Sequence, residues 1–162
     1  MNYSYIQTPI GSLLATRTEK GIASISFMTN GRPVPPQTGW QRSDGLFDDV
    51  REQLGSYFDG HLTSFDLPLD PAGTTFQRDV WTALLSIPYG ATRSYSEIAR
   101  AVGRPKAVRA VGAANGANPL PIVVPCHRVI GSNGSLTGFG GGMDVKKRLL
   151  ELEAGSRTLW EE

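Results

Sequence analysis

Cysteine is nearly absent from this 162-residue chain, which holds a single one, Cys126. One thiol excludes an internal disulfide framework and fits a reducing compartment, so a cytoplasmic protein is expected. Histidine is scarce too, with only His61 and His127. That leaves little material for a zinc site, and no metal is expected. No apolar run approaches the roughly 20 residues that span a bilayer, so no membrane partner is expected. The first residues, Met1-Asn2-Tyr3-Ser4-Tyr5, lack the basic start and apolar core of a secretory signal. A large excess of charge is missing as well: 16 Lys+Arg stand against 15 Asp+Glu.

What is present describes a soluble globular protein, with 40% hydrophobic and 19% charged residues. The 19 glycines and 11 prolines are spread along the chain, which indicates many turns and no disordered tract. The near-zero net charge hides an asymmetry. Residues 1–73 carry five basic against eight acidic side chains, and residues 74–162 carry eleven against seven. A basic second half suggests that this half faces a polyanion.

Residues 3–28 read as a β-meander, with strands over 3–6, 13–16 and 22–27. Pro9-Ile10-Gly11-Ser12 and Glu19-Lys20-Gly21 supply the turns. Residues 29–45 read as an irregular loop. Leu46, Val50, Leu54, Tyr57 and Phe58 then recur at helical spacing from 45 to about 58. Phe65, Leu67 and Leu69 alternate as in an edge strand, and His61 sits alone in a solvated loop. Asp70-Pro71-Ala72-Gly73 is the expected boundary. The fold class is therefore α+β: a small N-terminal antiparallel sheet with a helix over 1–73, then a mostly helical domain over 74–162.

The second half contains a helix-turn-helix pattern, so a winged-helix-like arrangement is expected. Thr74 opens a helix with Phe76, Val80, Trp81, Leu84 and Leu85 on its apolar stripe. Ser94, with Glu97 three residues on, forms a capping box for a short helix that starts at Tyr95. Gly103-Arg104-Pro105 turns the chain, and a further helix runs from Lys106 to about Asn115. That helix is made mostly of small residues around one long side chain, Arg109. Small residues let its backbone approach another surface closely. Two readings stay open on the residues alone: packing against a neighbouring helix, or approach to a narrow minor groove with Arg109 inserted.

The stretch Pro121-Ile122-Val123-Val124-Pro125-Cys126-His127-Arg128-Val129-Ile130 places the only thiol beside an imidazole. Ile122-Val123-Val124 reads as a short buried strand that Pro125 stops. A thiol attacks as its thiolate, and a nearby imidazole can lower its pKa. Neighbours on an extended chain point opposite ways, so Cys126 and His127 need a turn or a bridging water to communicate. Glu151 and Glu153, near the end of a helix expected over 144–153, are the candidates to hold the imidazole in one tautomer. The glycine-rich run 131–142 matches neither a P-loop nor a dinucleotide fingerprint. The tail 154–162 is expected to fray, with Trp160 as a docking candidate.

Pro125-Cys126-His127-Arg128-Val129 resembles the active-site signature of the O6-alkylguanine-DNA alkyltransferases, also called methylated-DNA–protein-cysteine methyltransferases. The resemblance extends over roughly 74–155. It takes in Ile87 to Tyr95, Lys106 to Gly112, Asn118-Pro119, the glycine run and Leu149-Leu150-Glu151-Leu152-Glu153. The likeness is to bacterial members that stand alone, with residues 1–73 as the family's variable domain. It implies self-inactivating DNA repair without a cofactor. O6-alkylguanine, and O4-alkylthymine as a further substrate, would be flipped out of duplex DNA bound through the minor groove, and Cys126 would take the alkyl group once.

The resemblance also implies roles. His127 is the base acting through a water, Glu153 orients it, Asn118 steadies the active-site turn, and Tyr95 donates to the guanine. Arg109 fills the gap left by the extruded base. Val129 and the glycine loop, Gly140 included, contact that base, and Phe139 walls the pocket. Ser94, Ala110, Gly112 and Arg128 join the substrate- and DNA-binding set. Phe139 stands where many members have Tyr, and the zinc-binding cysteines of some relatives are missing. A monomer in solution is expected. The competing readings are a non-enzymatic protein that only recognises alkylated lesions, and a Cys-His-Glu hydrolase with many turnovers.

Overall fold

The computed structural model describes residues 1–136, 139 and 142–155. These fall into two compact units, Met1–Ala72 and a second that starts at Gly73.

The first unit is built on a sheet of order β3-β2-β1-β4. Strands β1 (Asn2–Thr8), β2 (Gly11–Arg17) and β3 (Ile22–Ser26) pair antiparallel, with Tyr5 opposite Leu14 and Ala15 opposite Ile25. A two-residue strand, β4 (Gln41–Arg42), joins the outer edge of β1 in parallel. Leu13, Leu14, Ala15 and Thr16 are all buried, so β2 is covered on both faces. Helix α1 (Asp48–Phe58) buries Val50, Leu54, Tyr57 and Phe58. The single helix expected from residue 45 is in fact a 3-10 turn, Asp44–Phe47, followed by α1. Asp48 and Asp49 then sit in the first helical turn, where the helix dipole favours negative charge.

The alternation at 65–69 does not give a full edge strand. One bridge forms, between Ile22 and Leu69. Ile22 donates to the Pro68 carbonyl at 2.8 Å, and Asp70 donates back to the Ile22 carbonyl at 2.8 Å. Pro68 has no N–H to offer, which limits the ladder. Gly21 permits the close approach: a Cβ there would lie 2.5 Å from the Pro68 carbonyl oxygen.

The second unit begins with α2 (Thr75–Leu85). Thr74 caps it by accepting from Gln77 N at 3.1 Å, while the Gln77 side chain accepts from Thr74 N at 2.9 Å. Trp81 is buried and donates its indole N–H to the Ala114 carbonyl at 2.8 Å, which pins α2 to α4 (Val108–Gly116). Between them lies α3 (Tyr95–Ala101), entered through a strand of two residues, β5 (Arg93–Ser94). That strand pairs in parallel with β6 (Val129–Ile130), Arg93 opposite Val129 and Ser94 opposite Ile130. The start of α3 is thereby tied to the segment that follows the thiol. The last described element is α5 (Met143–Glu153).

Ile122-Val123-Val124 is not a strand. Val124 donates to the Leu120 carbonyl at 2.8 Å, Cys126 donates to the Val124 carbonyl at 2.8 Å, and Ile122 sits at φ 74. A β-branched residue in that region is strained by roughly 1–3 kcal/mol and needs its surroundings to hold it. Leu120, Ile122, Val123 and Val124 are all buried, so the coil is fixed by burial. A short apolar run signals burial without specifying the backbone conformation. The Gly140 candidate and the Trp160 docking expectation lie outside the described residues.

Candidate active site

The coil delivers Cys126, His127 and Arg128 as one 3-10 turn. This turn supplies the change of direction that an extended chain would deny to adjacent side chains. Two asparagines hold it. Asn118 Nδ2 donates to the Val124 carbonyl at 2.9 Å, and its Oδ1 accepts from Leu120 N at 3.0 Å. Asn115, buried on α4, donates from Nδ2 to the Cys126 carbonyl at 3.3 Å.

Cys126 is buried, with 5% of its surface exposed. Burial raises its pKa above the ordinary thiol value. The opposing influences are a hydrogen bond from Asn118, the charge of Lys146 and nearby backbone N–H groups, all of which favour the thiolate. His127 is fully buried, and burial holds its pKa below the ordinary value, against the pull of Glu153. Its Nε2 lies 2.7 Å from Glu153 Oε2. A carboxylate can only accept, so the neutral ring carries its proton on Nε2 and keeps a bare Nδ1. Among the described residues, Nδ1 has no hydrogen-bond partner.

Glu153 is also gripped by Arg128. Arg128 Nε donates to Oε1 at 2.7 Å and Nη2 to Oε2 at 3.0 Å, while Nη1 donates to the Ile87 carbonyl at 2.7 Å. The Arg128 Cζ lies 5.7 Å from the centre of the Tyr89 ring. Gly90, at φ 81, lets this turn approach α5: a Cβ there would lie 3.3 Å from the Glu153 carbonyl oxygen. Lys146, fully buried about two turns earlier on the same face of α5, donates to the Val129 carbonyl at 2.6 Å. Burial lowers its pKa. With Lys146 protonated, Arg128 and Lys146 outweigh Glu153 by one positive charge, which a Cys126 thiolate would balance.

The remaining candidates lie on α3 and α4. Arg109 and Ala110 are exposed, as are Ala113, Gly116 and Ala117, so the small-residue face of α4 is not consumed by packing. Gly112 is half-buried beside Tyr95: a Cβ on it would stand 3.9 Å from Tyr95 Cδ1 and Cε1. Tyr95 is the half-buried first residue of α3, and Ser94 Oγ accepts from Glu97 N at 3.1 Å as its cap. Phe139 is half-buried, and Val129 is buried.

The turn thus gathers Cys126, His127, Glu153 and Asn118. Arg128 is a correction: it was expected to face substrate or DNA, but it is 6% exposed and spends its guanidinium on Glu153 and Ile87. A buried carboxylate beside a neutral histidine needs that cation. Asn115 and Lys146 were not foreseen. The signal for Lys146 lay in its spacing, since 146, 149 and 152/153 form the buried stripe of α5. Among the described residues no group of three or more His, Cys, Asp or Glu gathers to hold a metal ion.

Comparisons with known proteins place the whole chain among named relatives. The 6-O-methylguanine DNA methyltransferase DNA binding domain matches residues 75–155, and the ribonuclease-like domain of the same methyltransferase matches residues 1–71. The methylated-DNA–protein-cysteine methyltransferase of Methanosarcina acetivorans is 48% identical over 153 residues, covering 94% of this chain and 98% of its own. Its counterpart in Mycobacterium tuberculosis is 52% identical over 158 residues, covering 94% and 92%. The solved structure of Mycobacterium tuberculosis OGT in complex with DNA superimposes with a TM-score of 0.89 at 48% identity, covering 96% of this chain and 94% of that one.

Proposed function

The chain belongs to the 6-O-methylguanine DNA methyltransferase family, and from that membership we propose that Cys126 is its alkyl acceptor. The activity is DNA repair: an alkyl group passes from O6-alkylguanine in DNA to a cysteine of the protein itself, once per molecule. Cys126 is the chain's only cysteine, so no other residue can fill that role.

In this reading the Cys126 proton passes through a bridging water to His127 Nδ1, the unpartnered nitrogen that Glu153 leaves bare. The sulfur then displaces the alkyl carbon in line. The S–C bond forms, the C–O6 bond breaks, and its electron pair returns to guanine. Tyr95 supplies a proton or hydrogen bond to the departing base. The protein ends as an S-alkyl thioether and guanine is intact. Neither metal nor cofactor enters this sequence of steps. A thiol that is 5% exposed cannot meet a base stacked inside a duplex, so extrusion of the base is part of the mechanism.

DNA is the partner. We place it on the exposed face of α4, entering through the minor groove, with Arg109 stacked into the gap and Ala110 and Gly112 allowing close approach. Ser94, Val129, Phe139 and Gly140 complete the base-side set, with O4-alkylthymine as a further substrate. Binding of this kind rests on phosphates and deformability, and so tolerates sequence. We expect a monomer in the cytoplasm; no helix among the described residues is long and apolar enough to cross a membrane.

The single observation that carries the reading is the His127–Glu153 contact of 2.7 Å next to the only thiol. The test is stoichiometry. With excess O6-alkylguanine duplex, the protein should release one repaired base per molecule and then stop. Continued turnover would point to a hydrolase, and lesion binding without transfer to a non-enzymatic recognition protein.

A further inference from the structure

We infer that Arg128 is a positioning residue that keeps His127 a neutral, Nε2-protonated base by neutralising Glu153. This inference rests on the reading of His127 as the base for Cys126. Glu153 touches a fully buried imidazole at 2.7 Å, and a buried carboxylate at that distance draws a second proton onto the ring. A ring protonated on both nitrogens has no lone pair for the thiol proton. The structure answers with a second cation on the same carboxylate.

The geometry is a two-pronged clamp. Arg128 Nε meets Oε1 at 2.7 Å and Nη2 meets Oε2 at 3.0 Å, so both carboxylate oxygens are engaged and the plane of Glu153 is fixed. Nη1 is anchored on the Ile87 carbonyl at 2.7 Å, and the guanidinium stacks at 5.7 Å from the Tyr89 ring. All three guanidinium nitrogens are therefore held by named partners. Arg128 follows His127 in the same 3-10 turn, so the base and the cation that restrains it are set by one stretch of backbone. Lysine offers a point charge and cannot reproduce this fork.

The groups that face His127 come from three places. Cys126 and Arg128 flank it on its own turn, Glu153 and Lys146 act from α5, and Tyr89 closes the Arg128 side from the turn after α2. Burial opposes protonation of the ring most, Arg128 and Lys146 add to it, and Glu153 favours protonation. Removing Arg128 thus leaves the carboxylate facing the imidazole with the burial of the ring and Lys146 against it, one cation fewer than before.

The test is the titration of His127 in the protein without DNA, so it does not depend on alkyl transfer. The chain has two histidines, so the ring signals of His127 separate from those of His61 once one is assigned by substitution. In the native protein, nitrogen NMR should find His127 predominantly neutral and protonated on Nε2 at the ordinary midpoint of about 6.5, where a free imidazole would be half charged. A His127 already charged at neutral pH overturns the inference, and this arm needs no variant. Arg128→Met should raise the His127 midpoint by about 1 pH unit or more, while Arg128→Lys, which keeps the charge, should raise it less. A folded Arg128→Met protein with an unmoved midpoint overturns the inference. The acid limb of the transfer rate from free O6-benzylguanine should move in the same direction as the midpoint. A uniform loss of rate at every pH, with an unmoved limb, would make Arg128 merely structural.

Discussion

The two units bury different things. Among the described residues of the first, the buried polar ones are Ser4 and Thr16, neutral hydroxyls tied to Asp44 at 2.7 Å and to Ser24 at 2.5 Å. Among the described residues of the second they are Asn115, His127, Arg128, Lys146 and Glu153, which include three formal charges and a histidine. The first unit is held by ordinary apolar packing with hydroxyls satisfied at the margin. The second places ionisable groups where apolar ones would be the more stable choice. Stability given up in one region and kept in the other marks where the chemistry resides.

The largest expected effect comes from breaking the charged core. Glu153→Ala leaves Arg128 and His127 buried without their acceptor, and the second unit should lose about 3–5 kcal/mol in denaturant unfolding. A loss below about 1 kcal/mol would mean that the network is not the keystone of that unit. The matching break in the first unit is milder. Gly21→Ala drives a methyl group to 2.5 Å from the Pro68 carbonyl oxygen, at a cost of about 1–3 kcal/mol, and should leave the transfer rate per folded molecule unchanged.

A subtler probe separates recognition from chemistry inside the second unit. Arg109 is exposed on α4 and has no part in the charged network. Arg109→Ala should slow transfer from a duplex about tenfold, roughly 1.4 kcal/mol, and spare transfer from free O6-benzylguanine. Equal loss on both substrates would count against its role in filling the gap left by the base.

The smallest effect is in the pH response, and it differs between the units. Folded His127 is held below its unfolded value of about 6.5, so as pH falls below that value the unfolded chain takes up a proton the folded one refuses. The second unit is therefore fully stable above about pH 6.5 on this account and weakens below it. Cys126 acts on the other side: its raised pKa means that stability declines as pH climbs through the unfolded thiol value of about 8.5. Asp44 in the first unit is held low by Ser4 and Arg42, so its contribution is lost only as pH falls through about 3.9. Hydrogen exchange followed unit by unit across pH should show the second unit loosening first on mild acidification. Simultaneous loosening would contradict the comparison.

How much of this was legible in the sequence follows from the same physics. The meander strands, the Thr74 cap, the Ser94–Glu97 capping box and the helix stripes rest on local periodicity and turn chemistry, and they appear where the residues indicate. The likeness carried by Pro125 to Val129 led to the family. What periodicity could not supply was the path of Ile122 to Val124, where burial and two flanking prolines override strand propensity. Arg128 misled for a related reason: a cation in a DNA-binding motif suggests phosphate, and only the fold shows a carboxylate 25 residues away meeting it. Asn115 was silent, and the spacing of Lys146 could show that it is buried but not what it meets, because a polar residue on a buried stripe declares its role only once the stripe's partner is known.

The most direct test of the central claim is to locate the transferred group. After one round with duplex carrying O6-methylguanine, proteolysis and peptide mass measurement should find one added methyl group, on the peptide containing Cys126, while Cys126→Ser binds the duplex and gains nothing. A methyl group on any other residue, or an unmodified protein beside repaired DNA, would contradict the account.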